Sequence, residues 1–143
     1  MKRMLNGEGQ VLGTDISPTA SVIENCIQWD FHESKAEWKN SVDFIYSNSI
    51  DQSNRPIEAL LTWINCLKSD TGILYLDLGR NSGKKGHTLL DPFSVEPELF
   101  GFFFYQHIQG AMIRNILFPD KEDWRSVIYE ISRTNGEAKS RSF

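Results

Sequence analysis

Three polar breaks, each following a short apolar run, hold the residues best suited to chemistry: Asp15, then Asp30-Phe31-His32, then Ser47-Asn48-Ser49. A carboxylate at the end of a strand can accept both hydroxyls of a ribose. A second carboxylate followed by an apolar residue can accept from an adenine amino group, while Phe31 covers the ring and offers its backbone N–H to a ring nitrogen. Asp15 and Asp30 together describe an adenosine cleft. Taken alone each is ambiguous, because strands often end in Asp for turn or capping reasons. For Asp15, a cap on the segment opened by Ser17 is an equal alternative. Asp51, His32 and His87 are the candidate general bases, a histidine being nearest to neutrality. For each of them a solvated loop residue is the simpler reading. Lys84, Lys85 and His87 can contact an anion, although basic residues beside glycines are more often a surface loop. Cys26 and Cys66 are in no metal-ligand spacing and read as packed free thiols, so no metal site is expected.

These residues need elements to position them. Gln10 to Thr14 reads as a buried strand stopping at Asp15, and Ser17-Pro18 starts a short helix. Ile27 to Trp29 is a second strand, Glu33 to Lys39 one or two polar helical turns, and Val42 to Tyr46 a third strand. The polar run from Ser47 to Asn54 is a loop. Ile57, Leu60, Leu61, Ile64 and Leu67 line one face of a helix opened by Pro56. After a break at Ser69 to Gly72, the apolar run Ile73 to Leu78 predicts a central strand covered on both sides. Gly79 to Gly86 is a basic loop, and Pro97 to His107 most simply an aromatic helix under the sheet, the run Phe102 to Tyr105 being compatible with an extended segment as well. Its Phe100 to Tyr105 stretch could cap an acceptor pocket, but plain packing is the commoner role of such a face. Ala111 to Phe118 and Ser126 to Arg133 form an antiparallel hairpin, and from Thr134 the chain is polar. The alternation predicts an α/β, Rossmann-like, doubly wound and mostly parallel sheet ending in that hairpin. One domain spans residues 1–133, and 134–143 is a disordered tail.

With 143 residues, 40% hydrophobic and 24% charged, the chain has room for one ordinary domain with a real core. Its net charge of −4 is the wrong sign for holding a phosphate backbone, so nucleic acid is disfavoured as a partner. The longest uncharged stretch, Leu99 to Ile113, falls short of the roughly 20 apolar residues that span a membrane. No signal-like run follows Lys2 and Arg3, and a cytoplasmic location is expected.

In Val11 to Pro18, Trp29 to His32 and Val42 to Ser49, the sequence resembles the class I S-adenosylmethionine-dependent methyltransferases, in particular the methyltransferase-11-like type. Pro56 to Leu60, and Cys66 to Lys68 leading to Gly72-Ile73-Leu74, continue the resemblance, which covers Gln10 to Leu78 well. It implies that Asp15, with Ile16 beside it, holds the ribose of S-adenosyl-L-methionine. It further implies that Asp30 and Phe31 hold the adenine, and that Ser47 and Asn48 line the methyl-transfer edge. The reaction implied is methyl transfer to an unidentified, small-molecule acceptor.

The family begins with a further strand, glycine-rich loop and helix, and that strand lies mid-sheet between the strands ending here at Thr14 and Tyr46. Only Met1 to Glu8 precede the first strand, whereas such a crossover takes on the order of 10 to 12 residues. Gly7-Glu8-Gly9 has no strand before it and reads as a turn. The family's first strand is therefore expected to be missing, which leaves two open edges. Those strands pair directly, or another copy or polypeptide fills the gap, or the sequence is the later part of a longer protein. Self-association through the exposed edges, and weak or absent cofactor binding by the isolated chain, follow as expectations. The rival functions are a non-catalytic remnant or assembly module and, with less support, a nicotinamide-dependent oxidoreductase, which also holds ribose with an acidic residue but needs a glycine fingerprint.

Overall fold

The computed structural model describes residues 9–79, 88–118 and 126–142. Two compact units divide the chain, one through Glu33 and one from Ser34. In the first, strands β1 (Gly13–Asp15) and β2 (Cys26–Gln28) pair in parallel, with Thr14 opposite Ile27. A five-residue 3-10 turn, Pro18–Val22, connects them. Ser17 caps it through its side-chain oxygen, which accepts from Thr19 N–H, and Pro18 already has the φ of a first helical position. Asn25, at φ 58°, turns the chain into β2, its carbonyl accepting from Gly13 N–H at 2.8 Å. Ala20 is the one buried residue among those described in this unit.

The second unit holds β3 (Phe44–Ser47), α1 (Pro56–Cys66), β4 (Ile73–Gly79), α2 (Pro97–His107) and β5 (Ile108–Gln109). Strands β6 (Ala111–Leu117), β7 (Ser126–Arg133) and β8 (Lys139–Ser140) complete it. One sheet has the order β3-β4-β7-β6, and β5 pairs with β8. Only β3 and β4 run parallel in the larger sheet; β7 is antiparallel to both neighbours. The sheet is thus mixed, not mostly parallel. The expected hairpin is present, but its second strand is the one that joins β4, with a bulge between Ile113 and Asn115 on β6.

Alternation fixes which face is buried. Leu74, Leu76 and Leu78 lie opposite Ile131, Tyr129 and Val127, and all six are buried. α2 packs on this face, Phe100 lying 4.8 Å from the Tyr129 ring and the Tyr129 hydroxyl donating to Pro97 O. α1 reaches the same face, because Arg133, in phase with Tyr129 and Ile131, donates to Asn65 O. Ile73, Tyr75 and Asp77 on the other face are only half-buried. Among the described residues both helices therefore cover one side of this sheet. β4, expected to be covered on both sides, is fully buried on one.

Gly72 ends the turn after α1 where no side chain fits: a Cβ there would lie 2.6 Å from Lys68 N and 2.7 Å from Leu67 Cβ. The segment from Thr134 is not the loose tail that its polarity suggests. Its backbone is tied down, with Thr134 N–H donating to Gly110 O and Arg141 N–H to His107 O. Asn65 holds Ala138 from both sides, accepting from its N–H at 2.8 Å and donating to its carbonyl at 3.0 Å. Composition hid this, since the bonds are made by backbone and not by apolar side chains.

Among the described residues β1 and β3 belong to separate sheets. No helix among the described residues is long and apolar enough to cross a membrane. Gly7, Glu8, Lys84, Lys85 and His87 lie outside the described residues.

Candidate functional site

Parallel pairing in the first unit sends both predicted carboxylates to one rim. Asp15 closes β1 opposite Gln28, the last residue of β2, and Asp30 follows two residues later. Trp29 N–H donates to Asp15 O at 2.8 Å, which holds the two exits together. The Asp15 side chain is exposed, and its Oδ1 accepts from Ser17 N–H at 2.7 Å. The capping alternative is therefore realised, while Oδ2 has no hydrogen-bond partner among the described residues. A ligand hydroxyl can reach that oxygen without breaking the turn. Ile16 is 68% exposed, and its carbonyl accepts from the Gln28 side chain.

Asp30 and His32 act as one group. Asp30 Oδ1 accepts from His32 N–H at 2.9 Å and lies 2.7 Å from His32 Nδ1. The Phe31 and His32 ring centroids are 4.5 Å apart. His32, expected as a candidate base, is the partner of the Asp30 carboxylate. Phe31 is half-buried beside it.

In the second unit Ser47 closes β3 and Asn48 follows it, at the carboxyl rim of the β3–β4 pair. Ser47 Oγ accepts from Ser49 N–H, and Ser49 Oγ donates to Asn48 Oδ1. Asn48 and Asp51 line a small cleft with Asp77, Gly79, Phe93 and Val95, whose interior of about 10 Å³ has room for about one water. Phe93 N–H donates to Asp51 O at 3.0 Å, fixing the far wall. Burial pushes the Asp51 carboxyl above its usual range, and the charge of Asp91 adds to this against hydrogen bonds from its own and Gln52 N–H. Asp77 accepts from the Tyr46 hydroxyl at 2.9 Å. Burial first, then that bond, raises the Tyr46 phenol.

The predicted residues thus gather into two groups, Asp15, Ile16, Asp30, Phe31 and His32 in one unit and Ser47, Asn48 and Asp51 in the other. Sequence reasoning missed Asp77 and Phe93. Asp77 left a signal, as the one charge inside an otherwise apolar strand; Phe93 left none, because a turn of separate sequence brings it in. Among the described residues no group of His, Cys, Asp and Glu is arranged to hold a metal ion.

No family model matches this sequence, and no curated protein matches it. Solved structures do. One, described as a pericyclic reaction enzyme, superposes with a TM-score of 0.68 at 11% identity over 93% of this chain and 38% of its own. Another, from Sulfolobus solfataricus and assigned as a type 11 methyltransferase, gives 0.55 at 18% identity over 95% of this chain and 78% of its own. The fold is methyltransferase-like. Identities this low speak to fold alone, and the chain spans well under half the length of the pericyclic enzyme.

Proposed function

We propose that this chain is a methyltransferase-like domain that binds the adenosyl part of S-adenosyl-L-methionine at the Asp15–Asp30 rim and serves methyl transfer to a small-molecule acceptor. The observation that carries the reading is the parallel β1–β2 register, which puts both aspartates at one pair of strand ends. The methyltransferase-like neighbour supports it at the level of fold. Asp15 Oδ2 is open to ribose hydroxyls. When bound, the cofactor supplies a sulfonium methyl for in-line displacement, which asks the protein for positioning and exclusion of water. Asn48 and Asp51 line the separate small cleft of the second unit. Asp51 is a candidate base there, its carboxyl raised above the usual range by burial.

A non-catalytic reading has its own support, because Asp15 and Asp30 already hold local partners. Amide chemical shifts of the whole chain titrated with S-adenosylhomocysteine separate the two. Binding is expected to be weak, with a dissociation constant above about 100 µM, and shifts should cluster at residues 15–16 and 30–31 and diminish in Asp15→Asn. No clustered shifts at millimolar ligand, or larger ones with a nicotinamide dinucleotide, would defeat the proposal.

A further inference from the structure

The outer side of α2 and the adjoining strand β6 form an apolar surface that the proposed reaction leaves unused. α2 turns Phe100 and Phe104 into the core, so Leu99, Phe102 and Tyr105 stand away from it, 55%, 74% and 46% exposed. Between Phe102 and Tyr105 on the helix and Ile113 to Ile116 on the strand runs an open groove of about 870 Å³. Among the described residues β6 is the last strand of its sheet, with no strand paired to its outer edge. Tyr105 covers part of that edge, its hydroxyl accepting from Ile113 N–H at 3.0 Å. Ile116 remains 43% exposed beyond it.

Large apolar side chains grouped in this way mark an interaction surface. A small-molecule pocket encloses most of its ligand, whereas this groove is open along its length, which favours a macromolecule. Two charges indicate which one. Arg114, at the β6 bulge, lines the groove, and Glu98 shares a helical stripe with Phe102 and Tyr105 at positions i, i+4 and i+7. Neither has an ion-pair partner among the described residues. A surface bearing one unpaired anion and one unpaired cation, separated by apolar side chains, is complementary to itself under two-fold rotation.

We propose that two copies of this chain associate through α2 and β6, with Phe102 near the two-fold axis and Glu98 of each copy against Arg114 of the other. This face is distinct from the β1 and β3 edges. Sedimentation velocity of the whole chain tests it at concentrations up to about 100 µM, where a dimer of ordinary affinity is populated. The chain should dimerise, Phe102→Asp should abolish the dimer, and Glu98→Arg or Arg114→Glu should each weaken it at least about tenfold. Combining both reversals should restore it, with circular dichroism showing each variant folded. A monomer at the highest concentration overturns the proposal, even if the chain captures another protein. A dimer indifferent to Phe102→Asp and the single reversals, or one the double reversal does not rescue, overturns it as well.

Discussion

Asp51 is held where its charge is unwelcome, half-buried and close to Asp91. An acid whose pKa rises on folding binds its proton more tightly in the native chain than in the unfolded one. Its contribution to stability is therefore complete below the unfolded value, near 3.8, and is lost as pH rises through the elevated native value. Asp51→Asn keeps the shape and the bond from Gln52 N–H while removing the charge. We expect the variant to match the parent near pH 4 and to exceed its Tm by about 1–3 °C at pH 7. Thermal scans across that range would disprove the account if the difference failed to grow with pH. At Asp15 the residue scale carries a different lesson. Its type and position were readable as either a cap or a ribose ligand, and the structure shows a cap that leaves one oxygen open. Side-chain chemistry alone offered no way to choose.

Elements were legible where a period or a start signal was strong. α1 begins at Pro56 and α2 spans Pro97–His107 as the apolar spacing indicates, and the strands about Ile73 and Ser126 fall where β-rich runs placed them. Strand order was not legible, since nothing local to Ser126–Arg133 states that it inserts beside β4 ahead of Ala111–Leu117. Nor was the fate of the last residues, because Lys139–Ser140 is held by backbone bonds whose partners lie far back in the chain. Asn65 is the key to that segment. It holds both polar groups of Ala138, and its own carbonyl accepts from Asn40 N–H and the Arg133 guanidinium. Asn65→Ala leaves two backbone groups of the tail without partners, a loss of about 1–3 kcal/mol. Proteolysis should then reach residues 134–142 sooner than in the parent chain, while β4 and β7 stay protected. Equal resistance of the two proteins would show that β5–β8 pairing alone secures the tail.

At the scale of the whole molecule, stability and proposed function sit in different places. Leu74, Leu76 and Ile131 are fully buried in the four-stranded sheet, whereas the described part of the first unit buries Ala20 alone and rests on two three-residue strands. A two-stranded pair with so little apolar cover is marginal by itself, and local opening follows the regions of least burial. Hydrogen exchange should therefore release the amides of Gly13–Asp15 and Cys26–Gln28 far sooner than those of Leu74, Leu76 and Ile131. The Asp15–Asp30 rim stands on that weaker part, so a ligand held there must stabilise it by mass action. Saturating S-adenosylhomocysteine should slow exchange at β1 and β2 and leave β4 and β7 unchanged. Two fates of the rim then become separable. Slowing confined to β1 and β2 marks an adenosyl site at the rim, whereas fast exchange indifferent to ligand marks a pair of strands that binds no adenosyl group.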